Sequence, residues 1–420
     1  MAESMKILYI SQYFPPEMGA PSARVFELSR RWVQQGHSVT VLTGFPHHPT
    51  GKIPPQYRQH IFKREDNSGI RIVRTYVYPT ANRGFFKRIL SYLSFMFSAI
   101  LIGTWTTGKP DVVVATSPQF FVAIAGYVVS RLKRRPFVFE VRDLWPESIV
   151  QLGQLKNRWL IGLLEKIEVF LYHRAARIVV VAEASVPILI EKGIPREKIA
   201  IIKNGVDLTL FNPEKHQPDL PATLGLEGKF VVSYIGTMGL SHALDKVLET
   251  ARILQEHQDI HFLLIGEGAE KPNLLRQKKE LGLRNVTFLD QIDKERLPYY
   301  YRMSDVVLVT LRGLPLFRCV IPSKIFEIMA MARPILISVD GEARQLVVDQ
   351  AGAGLFVPPE NPEEMARAIL RLRSDESLRQ SLARNGRQFV ERYFDRDKLA
   401  DEYLTILQNV RDKSQAVNIK

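Results

Sequence analysis

Residues 229–249 read KFVVSYIGTMGLSHALDKVLE. An apolar run rich in Val, Tyr and Ile stops at Ile235, glycines follow at 236 and 239, and a helical pattern sets in near Ser241. The run lacks strict polar–apolar alternation, which fits a strand covered on both faces. A strand that passes through a glycine turn into a helix is the start of a βαβ unit and predicts a parallel sheet. Glycines in such a turn permit a tight bend and a close backbone approach to a diphosphate. The third glycine of a dinucleotide fingerprint is replaced by Ser241. The next strand also ends without an acidic residue to hold an NAD ribose, which argues against a nicotinamide enzyme.

The same alternation extends in both directions. Downstream, IHFLLI (260–265), VTFL (286–289), VVLVT (306–310), PILIS (334–338) and GLFV (354–357) are strand candidates, with helical stretches at 243–255 and 362–372. Upstream, KILYIS (6–11), SVTVLT (38–43), IRIVRTY (70–76), DVVVAT (111–116), PFVFEV (136–141) and RIVVVA (177–182) form a second series. Residues 23–35 are helical in pattern and stop at Gly36. Between the two series, residues 204–219 have a linker composition with two prolines. The fold class expected is therefore α/β, with two Rossmann-like parallel-sheet domains. They comprise residues 1–205 and 206–395, and a helix over 396–420 packs back on the first domain.

Among the 420 residues, 46% are hydrophobic and 24% charged, which is globular and excludes disordered, collagenous or disulfide-stapled chains. Cys319 is the single cysteine, so no intramolecular disulfide and no multi-thiolate zinc site can form, and a reducing cytoplasmic setting is expected. MAESMKILYISQYF lacks a charged segment followed by a long apolar core and reads as a first strand, not a signal peptide. The net charge of +13 is unevenly spread. Residues 1–205 hold 28 Lys/Arg against 14 Asp/Glu, and residues 206–420 hold 29 against 30. A basic half can face nucleic acid, an anionic membrane or an anionic ligand, or can be merely a basic soluble surface.

Residues 89–108, ILSYLSFMFSAILIGTWTTG, carry no charge and follow Arg83, Lys87 and Arg88. The length suffices to span a bilayer. The position between two strands of one sheet calls instead for a crossover helix, either buried or lying in a membrane interface with its basic flank on anionic head groups.

Several groups can carry chemistry. Gly19, in PPEMGAPSARVFEL, sits between a strand and a helix, where backbone N–H groups favour anions; it is equally a simple turn glycine. Gly266 and Gly268 form a second glycine turn at a strand's carboxyl end. In RCVIPSKIFEIMAMARPILIS, Pro322 and Ser323 can open a helix with Lys324 in its first turn. A cation there opposes the helix dipole and makes sense if an anion docks. Glu327 lies one turn on, on the same face, where it can accept hydrogen bonds from sugar hydroxyls. The plainer alternative is a capping Ser with a surface Lys–Glu pair. EVRDLWPES (140–148) crowds Glu140, Arg142, Asp143 and Glu147 at a strand end. Asp143 can serve as a base or hold a substrate hydroxyl, or it can cap the helix that Pro146 begins. His47 and His48 sit in a Pro/Gly loop and read as a surface pair or a loop ligand.

Taken together, these stations resemble a family-4 glycosyltransferase of the GT-B fold. The resemblance runs through PPEMGAPSARVFELSRRWVQQGHSVTVLTG, EVRDLWPES, NGVDLTLFNP, IGEGAEKPNL, NVTFLDQIDKERLPYYYRMSDVVLV and PSKIFEIMAMARPIL, in order and over nearly the whole length. The nearest likeness is to bacterial sugar transferases of surface-polysaccharide assembly, of the L-fucosamine and related amino-sugar type. It implies two domains facing across a cleft and a retaining, metal-independent enzyme without a cofactor. The donor would be a nucleotide sugar with uridine as the default base, and the acceptor a lipid-linked saccharide. The protein would sit peripherally on the cytoplasmic face of the cell membrane, without nucleic acid as partner.

By this resemblance the donor-side residues are Gly19, Gly236, Gly239, Gly266, Gly268, Asp290, Arg318, Ser323, Lys324 and Glu327, and the catalytic pair is Arg142 and Asp143. The chain departs from the family pattern at three places. Cys319 stands where many members have the first of two glutamates. Residues 236–242 hold Thr237 and His242 but no Arg or Lys. Arg142 replaces the His common before the Asp. Two other readings compete. A nucleotide-sugar epimerase of the same fold needs no basic, membrane-facing half. A non-catalytic nucleic-acid binder would show an RNA-binding motif, and the basic residues are instead spread through a Rossmann-like domain.

Overall fold

The computed structural model describes residues 4–17, 19–47, 51–80, 85–117, 120–142, 144–145, 157–183, 185–215, 217 and 219–419. The chain divides into two compact units, one of Met1–Asn204 with Arg396–Lys420 and one of Gly205–Asp395.

In the first unit the strands are β1 (Lys6–Ile10), β2 (Ser38–Gly44), β3 (Phe62–Asn67), β4 (Ile70–Thr75), β5 (Val112–Thr116), β6 (Phe137–Val141), β7 (Arg177–Val180) and β8 (Ile199–Ile201). They form one sheet in the order β3-β4-β2-β1-β5-β6-β7-β8. Every pairing is parallel except that of β3 with β4. The apolar runs are strands because both faces are covered. Leu8 and Ile10 point into one cluster of buried side chains and Ile7 and Tyr9 into another. β3, FKREDN, escapes a hydrophobic reading because it is a charged edge strand. It is joined to β4 by Ser68 and Gly69, both at positive φ, 58° and 79°, the conformation of a two-residue hairpin turn.

Among the described residues, the helices of this unit include α1 (Ala20–Gln34), α2 (Phe85–Thr106), α3 (Phe120–Lys133), α4 (Arg158–Arg174) and α5 (Ser185–Glu191). α1 starts earlier than its apolar pattern because Pro21 is pre-set for a first helical turn. Gly36, at φ 87°, ends it. Strand order reverses between β1 and β5, so their carboxyl ends form the expected ligand edge of this sheet.

The second unit holds β9 (Phe230–Ile235), β10 (Ile260–Ile265), β11 (Val286–Leu289), β12 (Val306–Thr310), β13 (Ile335–Ser338) and β14 (Gly354–Phe356). The sheet runs β11-β10-β9-β12-β13-β14, parallel throughout. Its helices include α6 (Leu244–Ile253), α7 (Lys271–Glu280), α8 (Leu297–Met303), α9 (Lys324–Ala330), α10 (Pro362–Ser374) and α11 (Glu376–Tyr393). Here the order reverses between β9 and β12. The helix expected near Ser241 is first a short 3-10 turn, Leu240–His242. α6 follows only after Ala243, whose left-handed φ of 50° breaks the helix.

The final helix, α12 (Arg396–Ile419), packs on α1 of the first unit. Trp32 Nε1 donates to the Ala400 carbonyl at 2.9 Å, Tyr403 meets the indole edge-on at 5.5 Å, and Arg31 pairs with Asp401 at 3.1 Å.

Candidate donor and acceptor sites

At the carboxyl edge of the second sheet the two glycine turns lock into each other. Gly236 N–H donates to the Ile265 carbonyl at 2.9 Å and Met238 N–H to the Glu267 carbonyl at 2.8 Å. A Cβ on Gly266 would lie 1.9 Å from the Gly236 carbonyl oxygen, and one on Gly268 would lie 2.2 Å from that of Met238. Gly266 and Gly236 also adopt φ values of 147° and 148°. Both features require glycine, so these residues let one turn rest directly on the other. Gly239 is less constrained; its Cβ would meet His242 Nδ1 at 3.4 Å.

Lys324 is brought to this turn by α9. The helix begins at Lys324, and the exposed Ser323 occupies the cap position without a side-chain capping bond. The capping alternative for Ser323 is therefore corrected. The Lys324 ammonium lies 3.8 Å from the centroid of the Tyr234 ring, and a Cβ on Gly236 would come within 2.6 Å of it. Burial pushes the ammonium down to about 7, against the weaker opposing pull of Glu327. The surface Lys–Glu pair is corrected as well: no ion pair joins Lys324 to Glu327 among the described residues, and Glu327 instead accepts a hydrogen bond from Tyr301 at 3.2 Å. Burial, then the Glu327 charge, raises the Tyr301 hydroxyl well above its ordinary value. His242 receives the Gly239 N–H on Nδ1 at 3.3 Å. Burial and the Lys324 charge lower its imidazole, which favours the neutral ring at pH 7.

The other expected donor-side residues stand farther out. Arg318 is exposed in the turn Pro315–Cys319 and lies 3.6 Å from Asp340. With Phe317, Val339 and Pro359 it lines a depression of about 120 Å³. Asp290, at the end of β11, is exposed and pairs with Lys271 at 2.5 Å; Lys271 also holds Glu267 at 2.6 Å. The hydrogen bond from Lys271 is the main cause that holds the Asp290 carboxyl below its usual range. The side chain of Cys319 lies outside the described residues.

Arg312 was not singled out by sequence, and it ties this edge together. It pairs with Asp245 at 2.9 Å and Glu360 at 2.8 Å and donates to the Leu240 carbonyl at 2.8 Å. Its one sequence signal is a cation two residues past the apolar run 306–310, at the strand end where this fold binds ligands.

In the first unit, Gly19 is exposed at the head of α1 with φ 132°. Asp143, Glu147 and His48 lie outside the described residues. The Arg142 backbone N–H donates to Ser117 Oγ at 2.7 Å. Glu140, one of the crowded charges of EVRDLWPES, is fully buried. It accepts from Tyr9 at 3.0 Å, Thr116 at 2.8 Å and Arg24 at 3.2 Å. Burial alone would raise its carboxyl; Arg24 first and then Arg142 reverse the sign and hold it below the ordinary range. Arg24 also donates to the Ile202 and Lys203 carbonyls at 2.9 Å, so Glu140 belongs to an internal brace. His47 corrects the surface-pair reading: it is buried, its N–H donates to Glu17 at 2.9 Å and Nδ1 lies 2.9 Å from the Phe45 carbonyl. Among the described residues no three His, Cys, Asp or Glu side chains gather as metal ligands.

Comparison with known proteins follows this division. The model of Glycosyl transferases group 1 matches residues 217–389, and that of the Glycosyl transferase 4-like domain matches residues 19–205. The chain is 24% identical over 418 residues to WcaI of Escherichia coli K12, named as a colanic acid biosynthesis glycosyl transferase. That match covers 95% of this chain and 99% of the relative. It is 24% identical over 299 residues to the glycosyltransferase WbjE of Pseudomonas aeruginosa, covering 70% and 74%. Among solved structures, HepE of Anabaena in complex with UDP and glucose superposes with a TM-score of 0.68 at 20% identity, covering 96% of this chain and 99% of that one.

Proposed function

Because the chain belongs to the family-4 glycosyltransferases of the GT-B fold, we propose that it transfers a sugar from a nucleotide-sugar donor to a lipid-linked saccharide in bacterial surface-polysaccharide synthesis. The naming of WcaI for colanic acid biosynthesis supports the pathway class, and the UDP held by HepE supports a uridine donor. The observation that carries the reading is Lys324. Its side chain is half-buried and its ammonium sits beside the Gly236 turn, at the strand-order switch of the second sheet, with no ion pair among the described residues. A desolvated cation beside open backbone is suited to a diphosphate leaving group.

In this reading the second unit takes the donor. Gly236, Gly239, Gly266 and Gly268 admit the diphosphate close to the main chain. Lys324 neutralises its charge, with Ser323 at the head of α9, and Glu327, oriented by Tyr301, holds a ribose hydroxyl. Arg318 lies on the sugar side and Asp290 on the outer rim. The first unit takes the acceptor, with Arg142 at its carboxyl edge and Asp143 as the base or the group that positions the acceptor hydroxyl, and Gly19, at the head of α1, serves the donor phosphate. The transfer is of the retaining type, the sugar is an N-acetylated amino sugar, and the enzyme works at the cytoplasmic face of the membrane. The test is to supply a panel of UDP-linked sugars with a lipid-linked saccharide. Nucleoside diphosphate should appear with an amino-sugar donor, and proton spectra of the product should show the donor's anomeric configuration preserved. Interconversion of the free nucleotide sugar without transfer would support the epimerase instead.

A further inference from the structure

α2 carries two opposed faces. One is fastened to the first sheet. Ser91 Oγ accepts from Gln12 at 3.3 Å, Ser94 Oγ accepts from the Tyr78 N–H at 2.7 Å, and Ser98 donates to the Tyr76 carbonyl at 2.5 Å. A Cβ on Gly103 would lie 2.3 Å from Leu42, so the helix backbone rests on a β2 side chain. Lys133 of α3 closes the far end by donating to the Thr104 and Gly108 carbonyls at 2.7 and 2.5 Å. Long and apolar enough to cross a bilayer, α2 is nevertheless held flat by these bonds against the sheet it crosses.

The other face is apolar and open. Phe86 is 86% exposed, Phe97 57%, Leu101 67% and Trp105 86%, with Leu90 between them. At 3.6 residues per turn these positions fall within about 100° of arc, which is a stripe and not scatter. Contiguous exposed apolar surface of this kind marks a docking face. Its surroundings state what docks. From Phe85 to Lys133 the single acidic residue is Asp111, and it is spent on the backbone N–H of Lys6 at 2.7 Å. Exposed cations flank the stripe: Lys87 at one end, Lys109 at the other, Arg131 in the last turn of α3, the helix that packs beside α2, and Arg134 just past it. α4, which packs on α3 in turn, adds exposed Trp159 beside Arg158. An apolar stripe rimmed by cations, whose one carboxylate between Phe85 and Lys133 is already engaged by backbone, is complementary to acyl chains beneath anionic head groups.

We infer that the outward stripe of α2 is a membrane-docking face that inserts into an anionic phospholipid surface, with Phe97, Leu101 and Trp105 at acyl depth and Lys87 and Lys109 at the phosphates. The inference deepens the proposed function by giving the membrane-bound acceptor reading a physical surface. The two fail separately in the experiment below.

The probe is the full chain with Trp159→Phe, mixed with phosphatidylcholine vesicles with and without phosphatidylglycerol. Trp32 and Trp145 are buried, so the change in emission reports Trp105. Phosphatidylglycerol vesicles should blue-shift that emission, brominated acyl chains should quench it, and high salt should weaken the binding. The double variant Phe97→Asp/Leu101→Asp should bind vesicles at least about tenfold more weakly, as expected for lost apolar insertion. It should keep its thermal midpoint and its turnover on a water-soluble acceptor fragment. Unshifted Trp105 emission, or equal vesicle binding by the double variant, overturns the inference. So does a dimer that the double variant converts to monomer without any vesicle binding, which would make the stripe a contact between copies. If the wild type binds vesicles by this face yet transfers to no lipid-linked saccharide, the docking face stands and the acceptor reading falls.

Discussion

The two sheets present charge at their carboxyl edges in opposite ways. In the first unit, Glu140 is fully buried and accepts hydrogen bonds from three side chains, one of them the guanidinium of Arg24. In the second, the half-buried Lys324 sits beside the Gly236 turn, faces an aromatic ring, and makes no ion pair among the described residues. Both are ionisable groups at a strand end or beside one, in segments that the sequence marks as site candidates. The difference is in what each is left to do. Burial acts against both charges; in Glu140 the partners outweigh it and hold the carboxylate ionised, and in Lys324 it wins and pulls the ammonium down to about 7. A strand-end charge is thus informative when its neighbours have not already answered it.

Removing each charge separates the two roles. Glu140→Ala should cause the largest change: Arg24 stays buried without its counter-charge, and breaking such a pair costs about 3–5 kcal/mol of stability. Chemical denaturation measures this, and a near-normal midpoint would show that Glu140 is no brace. Lys324→Ala should instead leave the fold intact and weaken donor binding by about 1.5–3 kcal/mol, the range of a charged hydrogen bond. Calorimetry with the donor decides it; unchanged affinity removes Lys324 from the site. Glu327→Ala frees the Tyr301 hydroxyl and should raise the donor KM with little effect on kcat, and normal kinetics would make Glu327 a structural partner of Tyr301 only.

The depressed Lys324 sharpens the contrast through pH. Its ordinary value is 10.5 and its folded value about 7, so between these the unfolded chain binds more protons than the folded one. Stability must therefore rise with pH across that window, and below about 7, where both states are protonated, the residue adds no slope. Donor binding runs the other way. A diphosphate favours the protonated ammonium, so affinity should fall above pH 7, by no more than about tenfold per unit. Thermal midpoints and donor affinities measured from pH 6 to about 9 should show both trends, and Lys324→Met should flatten both. A wild type whose donor affinity ignores pH would place the ammonium away from the diphosphate.

What could be read in advance followed from local periodicity. Doubly covered strands announce themselves as unbroken apolar runs, and that accounts for the two parallel sheets. β3 did not, because an edge strand of FKREDN has no apolar face, and only Ser68-Gly69 marked its hairpin. Lys324 was legible because a cation in a first helical turn is locally out of place. Arg312 was not, because its meaning lies in Asp245 and Glu360, 67 and 48 residues away. His47 was misread for a related reason: nothing in a Pro/Gly loop tells that Glu17, thirty residues earlier, folds over it.

The smallest effect is expected at Asp290, and it tests where the second unit's site ends. Its carboxylate is exposed and bound to Lys271, an ammonium that is itself mostly buried. Asp290→Asn keeps the shape and a hydrogen-bond acceptor, and Glu267 remains to hold Lys271 at 2.6 Å. Exposed ion pairs contribute little to folding, so the thermal midpoint should hardly move. The carboxyl is held low mainly by the hydrogen bond from Lys271, so its removal should add no new titration near neutral pH. On the outer rim, its influence on the donor runs through Lys271 and should change KM only slightly and kcat not at all. Steady-state kinetics with the best donor checks this. A large rise in KM would make Asp290 a direct ligand of the nucleotide and move the edge of the site from the Gly266 turn outward to the end of β11.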